Sequence, residues 1–136
     1  MKVIVIDGQS GRIGQLFIER AVKAKLSCEL ICIGANAIAT SAMLKAGASR
    51  GATGENPVIV ACRTADFIVG PIGILAVDSM LGEITPKMAA AVAQSNATKL
   101  LLPVNLCNKI VIGTQAISLS SILDEAVETL QKLLNQ

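Results

Sequence analysis

Short apolar runs, separated by polar and glycine-containing stretches, recur along the whole chain. Continuous runs of Val, Ile and Leu are typical of strands that a parallel sheet buries on both faces. The runs predict strands at residues 2–7, 29–34, 58–62, 67–69 and 100–104, and a sixth short strand of undetermined direction at 110–113.

The stretches between these runs carry apolar residues at helical spacing. They predict helices at residues 12–25, 36–46, 74–81, 85–95 and 119–134. The end signals are Gly47 after the second helix, Thr85-Pro86 as N-cap and first residue of the fourth, and Ser121 with Asp124 as a capping box in the last. Residues 49–57 are predicted to be a glycine-rich loop.

The alternation of strands and helices predicts the fold class. Alternating βα units form an α/β protein, and right-handed crossovers wind its helices onto both faces of the sheet. We therefore expect a three-layer, doubly wound, mostly parallel and Rossmann-like sheet, with residues 1–136 as a single domain.

The first strand leads into a turn with glycines at every third position, G-x-x-G-x-x-G. Such a turn between a strand and a helix is typical of dinucleotide-binding βα units, where backbone N–H groups and a helix N-terminus face a phosphate. The predicted binding residues here are Gly8, Gln9, Ser10, Gly11, Arg12, Ile13 and Gly14. The alternative is a glycine-containing βα turn without a ligand.

Four further residues are predicted to line the same site, because they follow strands whose carboxyl ends should meet there. They are Asn36, Gly70, Gly73 and Asn105. Each has a purely structural alternative: Asn36 as a helix cap, the two glycines as parts of a tight turn, and Asn105 as a residue that hydrogen-bonds within its own turn.

The second strand ends in Gly34-Ala35-Asn36, where NAD-binding folds place an acidic residue that reads the ribose 2′-hydroxyl. The missing acid favours NADP, or another phosphate-bearing ligand such as a mononucleotide, over NAD. Arg12 is either a ligand contact or a solvated residue in the first helical turn.

Composition excludes several classes of function. The 136 residues are 52% hydrophobic, carry a net charge of +2 and include no His. The basic residues form no run and aromatic platforms are missing, which argues against nucleic-acid binding. Cys28, Cys32, Cys62 and Cys107 form no C-x-x-C pair, so no metal is expected and buried structural thiols are favoured. No apolar run is long enough for a bilayer. We expect a cytoplasmic protein. We also expect a homo-oligomer, because so apolar a small domain has apolar surface that subunit contacts can bury.

Catalytic residues are not evident. Without His the commonest general base is missing, and without Tyr the Tyr-x-x-x-Lys pair cannot form. An enzyme would need Asp78, Glu83 or Lys87 to line a cleft with Gly11; Asp78, set among apolar residues, is the best acid–base candidate. Residues 53–56 should lie at the opposite sheet edge, as a plain loop or within reach of a neighbouring subunit's site.

Two resemblances add to these expectations. The run D-G-x-x-G-R-I-G resembles the glycine turn of the dihydrodipicolinate reductase family over about the first fifteen residues. It implies that Arg12 contacts the adenosine side of a cofactor. Nearly the whole chain resembles a family of small bacterial proteins of unknown function with a Rossmann-like fold, through VIVIDGQSGRIG, NAIATSAMLKAGA, GATGEN, GPIGI, LGEIT and PVN. That resemblance implies a bacterial cytoplasmic origin and a stand-alone domain, and brings no catalytic residues.

The leading hypothesis is a homo-oligomeric protein that binds a phosphate-bearing nucleotide, NADP-like by preference, over the glycine turn. The alternative from another class is an oligomeric interaction or regulatory module in which the turn holds no nucleotide.

Overall fold

A computed structural model of the chain describes residues 1–104 and 108–136. Strands and helices alternate through these residues, as the sequence predicts. The elements are β1 (Lys2–Asp7), α1 (Arg12–Lys23), β2 (Glu29–Gly34), α2 (Ala37–Ala46), β3 (Arg50–Thr53), α3 (Glu55–Cys62), β4 (Phe67–Pro71), a short 3-10 helix (Ile72–Leu75), α4 (Pro86–Gln94), β5 (Thr98–Leu102) and α5 (Leu119–Leu134).

The five strands form one parallel sheet in the order β3-β2-β1-β4-β5. The chain moves outward from β1 through β2 to β3 and then returns to place β4 on the other side of β1. This reversal is the topological switch point at which doubly wound folds bind ligands, outside the carboxyl ends of the strands. The predicted fold class, a doubly wound Rossmann-like sheet, is confirmed.

Two hydrophobic cores make the protein three layers deep. Alternate residues of a strand point to opposite faces, so Val3 and Val5 pack against α1, α2 and α5, whereas Ile4 and Ile6 pack against α3 and α4. All four side chains are at most 1% exposed. Burial on both faces explains why β1 is a continuous apolar run with no alternation.

One region of the sequence-based assignment is wrong. Residues 58–62 form the second half of α3, and the strand at this point of the chain is Arg50–Thr53, inside the predicted loop. A short apolar run is equally compatible with a buried helix, and only Val58 and Cys62, four residues apart, are buried. The edge strand β3 is largely exposed and so lacks a hydrophobic pattern.

Smaller differences concern element ends. Residues 74–81 contain the end of the 3-10 helix followed by turns, β5 begins two residues before its predicted start, and residues 110–113 form no strand. The last helix spans its predicted range, but its N-cap is Ser118, whose side chain accepts from the Ser121 amide at 3.1 Å. The predicted Thr85 N-cap of α4 is confirmed.

Candidate functional site

The glycine turn lies at the carboxyl edge of the sheet, next to the switch point. Register places Asp7 at the end of β1 opposite Gly34 at the end of β2, which in turn is opposite Thr53 of β3. On the other side, Gly70 of β4 lies so close to the Ile6 carbonyl that a Cβ at position 70 would overlap it. The ends of four strands therefore surround the turn.

Positive backbone angles shape the turn. Gly11, the N-cap of α1, has φ of 72°, and Gln9 has φ of 50°. The Gly11 amide donates to the Gly8 carbonyl at 2.9 Å and closes the turn. A Cβ on Gly11 would lie 2.6 Å from the Ala39 Cα, so glycine at this position is what allows α1 and α2 to approach each other.

Asp7, the last residue of β1, is hydrogen-bonded to both ends of the turn. Its side chain is 2% exposed and accepts hydrogen bonds from the amides of Gly8 and Gly14, both at 2.8 Å. Burial raises the pKa of Asp7, while the N–H groups of Gly14, Gly8 and Ile13 act in the lowering direction. This role of Asp7 was not predicted from the sequence, where its signal is an acidic residue at the end of a fully buried strand.

The glycine amides of the turn are not the ones that are free to bind a ligand, although a glycine fingerprint suggests that they are. The amides of Gly8, Gly11 and Gly14 all face inward, toward Asp7 or the Gly8 carbonyl. The amides of Ser10 and Arg12 donate to no other group within the described residues, and both residues are exposed. Of the predicted binding residues, Ser10 and Arg12 thus have free amides at the N-terminus of α1.

Asn36 reaches the same turn and also caps α2. Its Oδ1 accepts from the Ala39 amide at 2.9 Å, while its Nδ2 donates to the Gln9 carbonyl at 2.9 Å. Asn36 therefore caps α2 and also lies next to the glycine turn, so both of its predicted positions occur together.

Glu83 supplies an acidic group at this position. It comes from the connection between β4 and α4, 47 residues after Asn36, yet its Oε2 accepts from Asn36 Nδ2 at 2.6 Å. Its Oε1 accepts from the Gln9 amide at 2.5 Å. The glutamate was weighed from sequence only as one of three residues that an enzyme would need. A carboxylate thus stands beside the end of β2, although none follows β2 in the sequence.

The connection that carries Glu83 has a strained backbone. Asp78, Met80 and Leu81 have φ values of 63°, 58° and 57°, in the left-handed region that residues with side chains seldom adopt. Met80 is buried, and its Sδ would lie 2.7 Å from a Cβ on Gly8. Leu81, in contrast, is 98% exposed. Such strain persists where surrounding contacts over-determine it, often at ligand sites.

The other predicted site residues have mixed outcomes. Gly70 is buried within β4, and Gly73 is in the 3-10 helix, where its carbonyl accepts from Ser79 Oγ at 2.5 Å. Met80 lies between Gly73 and Gly8, because its side chain approaches both glycines. Asn105 lies outside the described residues, as does Cys107.

Residues 53–56 lie at the carboxyl edge of the sheet, so the expectation that they occupy the opposite edge is wrong. The error follows from the strand assignment, because Thr53 ends β3 and residues 54–56 lead from it into α3, instead of preceding a strand. Thr53 Oγ1 is 2.7 Å from Thr40 Oγ1, which links β3 to α2. Glu55 opens α3 at this edge.

The candidates for catalysis are less favourable than expected. Asp78 and Lys87 are both exposed, so Asp78 is not the buried carboxylate that an acid–base role would need. Cys32 and Cys62 are buried, and burial raises the pKa of the Cys62 thiol to about 11, which suits a structural thiol. Among the described residues, no group of three or more His, Cys, Asp or Glu is placed to hold a metal ion. Residues 1–104 and 108–136 include no helix with both the length and the apolar character needed to cross a bilayer.

A separate groove of about 620 Å³ runs between α1 and α5. Its charged groups are of both signs, and Arg20 Nε is paired with Asp124 Oδ1 at 3.0 Å.

Comparisons with known proteins place the chain in a family. No curated protein matches it. Among solved structures, a dodecameric FMN-dependent Ubix-like decarboxylase from Escherichia coli O157:H7 matches with a TM-score of 0.45 and 12% sequence identity, over 100% of this chain and 96% of that one. A family profile described as "Domain of unknown function (DUF3842)" matches residues 2–135, and the chain therefore belongs to that family.

Proposed function

We propose that this protein binds a phosphate-bearing nucleotide at the carboxyl edge of its sheet, with a phosphate over the first βα turn. The observation that carries the proposal is the position of this turn at the switch point between β1 and β4. Doubly wound sheets bind nucleotides in that crevice, with a phosphate at the N-terminus of the following helix.

The phosphate would be held by groups that are free in the structure. The amides of Ser10 and Arg12 are exposed at the start of α1 and have no described protein partner. The Arg12 guanidinium adds a positive charge that can bind phosphate in a bidentate manner. Gly8, Gly11 and Gly14 then serve to shape the turn, and their amides are satisfied by Asp7 and the Gly8 carbonyl.

The remaining predicted residues would surround the rest of the nucleotide. Asn36 fixes Gln9 through a hydrogen bond to its carbonyl. Gly70 and Gly73 stay predicted ligand residues, and the Met80 side chain lies between Gly73 and the turn. Asn105 stays a predicted ligand residue. The NADP-like preference predicted from the sequence depends on the charge beside Asn36, and Glu83 makes that charge negative.

Thermal unfolding with and without ADP, NAD and NADP tests the proposal. A ligand at about 100 times its Kd adds about 2.7 kcal/mol to the free energy of unfolding. For a domain of this size that corresponds to a rise in Tm of roughly 5–10 °C. Arg12→Ala should weaken binding at least severalfold. Lys23→Ala is the matched control, since it removes a basic residue from the opposite end of the same helix. No rise in Tm with any of the three ligands contradicts the proposal.

A second candidate function is an oligomeric interaction module, and exposed apolar side chains favour it. Leu81, Ile112, Ile110 and Ile38 are 98%, 85%, 74% and 71% exposed. Single exposed apolar residues are ordinary, but several large ones on a small domain favour self-association. Light scattering coupled to size-exclusion chromatography distinguishes a homo-oligomer from a monomer, and the absence of any nucleotide effect on Tm would then favour this function.

A further inference from the structure

We infer that Glu83 reads the ribose of the bound nucleotide, so that the ligand carries a free 2′,3′-diol and not a 2′-phosphate. The inference rests on the proposed function and names the class of nucleotide. It also reverses the NADP-like preference that the sequence predicts, because that preference depends on the missing acid after β2.

The first step is the position of the carboxylate. In dinucleotide-binding folds the acid at the end of β2 accepts hydrogen bonds from the ribose hydroxyls, next to the first glycine of the turn. Here Glu83 Oε2 lies 2.6 Å from Asn36 Nδ2, just beyond the end of β2. Its Oε1 would lie 2.8 Å from a Cβ on Gly8, the first glycine. A residue remote in sequence thus brings a carboxylate to this position in space.

The second step is the number of acceptor sites that remain. A carboxylate has about four lone-pair directions on its two oxygens. In the structure Oε1 accepts from the Gln9 amide and Oε2 accepts from Asn36 Nδ2. One acceptor direction is left on each oxygen, and the Glu83 side chain is only partly buried. Two adjacent hydroxyl groups, as in a ribose 2′,3′-diol, match two adjacent acceptors.

The third step is charge. Two ion pairs occur within the described residues, Arg20 with Asp124 and Arg50 with Glu29, so no basic residue in that part of the chain neutralises Glu83. The negative charge of Glu83 also acts on Asp7, where it adds to the effect of burial on the pKa. A 2′-phosphate at this position would meet a like charge, which weakens binding.

The fourth step is how firmly the carboxylate is held. The two hydrogen bonds from Asn36 and Gln9 orient both oxygens, and Asn36 is itself fixed as the cap of α2. The strained backbone at Met80 and Leu81 is separated from Glu83 only by Gly82. A side chain that is oriented before the ligand arrives loses little freedom on binding, which favours affinity and discrimination.

The test compares NAD with NADP, which differ only in the 2′-phosphate, by calorimetric titration of the full chain. We expect wild type to bind NAD at least tenfold more tightly than NADP, where each tenfold is about 1.4 kcal/mol. Glu83→Gln should bring the ratio of the two Kd values close to one. Glu55→Gln is the matched control, because Glu55 lies at the same sheet edge and its carboxylate makes no hydrogen bond to the turn. The ratio of the two Kd values for E55Q should stay that of wild type.

The outcomes separate the two proposals. Equal binding of both nucleotides by wild type, or tighter binding of NADP, overturns the role of Glu83, while nucleotide binding itself stands. An unchanged ratio in a folded E83Q variant also overturns it. If NAD, NADP and ADP all fail to bind wild type and E83Q, the proposed function fails and the inference fails with it. Should E83Q not fold, wild type with ADP and 2′-deoxy-ADP decides, because loss of the 2′-hydroxyl should weaken binding severalfold, and equal affinity overturns the inference.

Discussion

Substitution of Asp7 tests how the glycine turn is held in place. The Asp7 carboxylate is 2% exposed and accepts from the Gly8 and Gly14 amides at 2.8 Å each. Asp7→Ala leaves two buried N–H groups without an acceptor. Each unsatisfied buried donor costs about 1–3 kcal/mol. We therefore expect D7A to lower the free energy of unfolding by about 2–4 kcal/mol, which is the cost of two such donors less the relief from removing a buried charge.

Asp7→Asn separates the two opposing contributions. The amide keeps one acceptor and the shape of the side chain, but its NH₂ group faces one of the two glycine N–H groups. Removing the charge is favourable, because burial raises the pKa of Asp7, and each unit of such a rise corresponds to about 1.36 kcal/mol. We expect a net loss of about 1–3 kcal/mol for D7N, smaller than for D7A.

Urea denaturation followed by circular dichroism measures these differences, provided that the slope with denaturant stays unchanged. Asp66 offers the control, because it is exposed and its Oδ2 accepts a single hydrogen bond, from the Lys2 amide at 2.7 Å. Asp66→Ala should cost at most about 1 kcal/mol. If D7A is as stable as wild type to within about 0.5 kcal/mol, the turn does not depend on Asp7 and the reasoning is refuted.

Three further predictions concern the same edge of the sheet. The pKa of Asp7 is raised in the folded state, so above about pH 3.9 the folded protein binds more protons than the unfolded chain, and this group's contribution to stability falls as the pH rises toward its folded pKa. The difference in free energy of unfolding between wild type and D7N should therefore shrink across that pH range. A difference that stays constant or grows, in urea titrations at several pH values, contradicts this. Leu81→Gly should leave stability unchanged or raise it by up to about 1 kcal/mol, since it relieves a left-handed backbone at a 98% exposed side chain; a clear loss in Tm indicates that Leu81 is covered in an oligomer. Gly11→Ala should lower the free energy of unfolding by at least about 2 kcal/mol more than Gly82→Ala, because both glycines have positive φ but only a Cβ on residue 11 would meet another helix. Equal Tm values for the two variants would show that α1 and α2 can move apart.

Most of the fold could be predicted from the sequence because the central strands are buried on both faces. Continuous apolar character then follows directly from position in the sheet, as in β1. The edge strand β3 has no such burial and no such pattern, so the strand was assigned eight residues later, to the apolar end of α3. That single error moved residues 53–56 to the wrong edge of the sheet.

The candidate site was predictable only where it is local in sequence. The glycine turn and the Asn36 cap depend on neighbouring residues and could be predicted. The contact between Glu83 and Asn36 spans 47 positions and requires the strand order, which brings the β4–α4 connection beside the end of β2. For the same reason the sequence after β2 predicts a site without an acid, although another part of the chain supplies one.

Chemical-shift mapping of backbone amides during titration with NAD tests the central claim most directly, because it shows both whether the nucleotide binds and where. The account predicts the largest shifts at Ser10 and Arg12, with further shifts at Gln9 and Asn36 and none along the groove between α1 and α5. Shifts confined to that groove, or no shifts at saturating NAD, ADP and NADP, would contradict the assignment of the glycine turn as a nucleotide site.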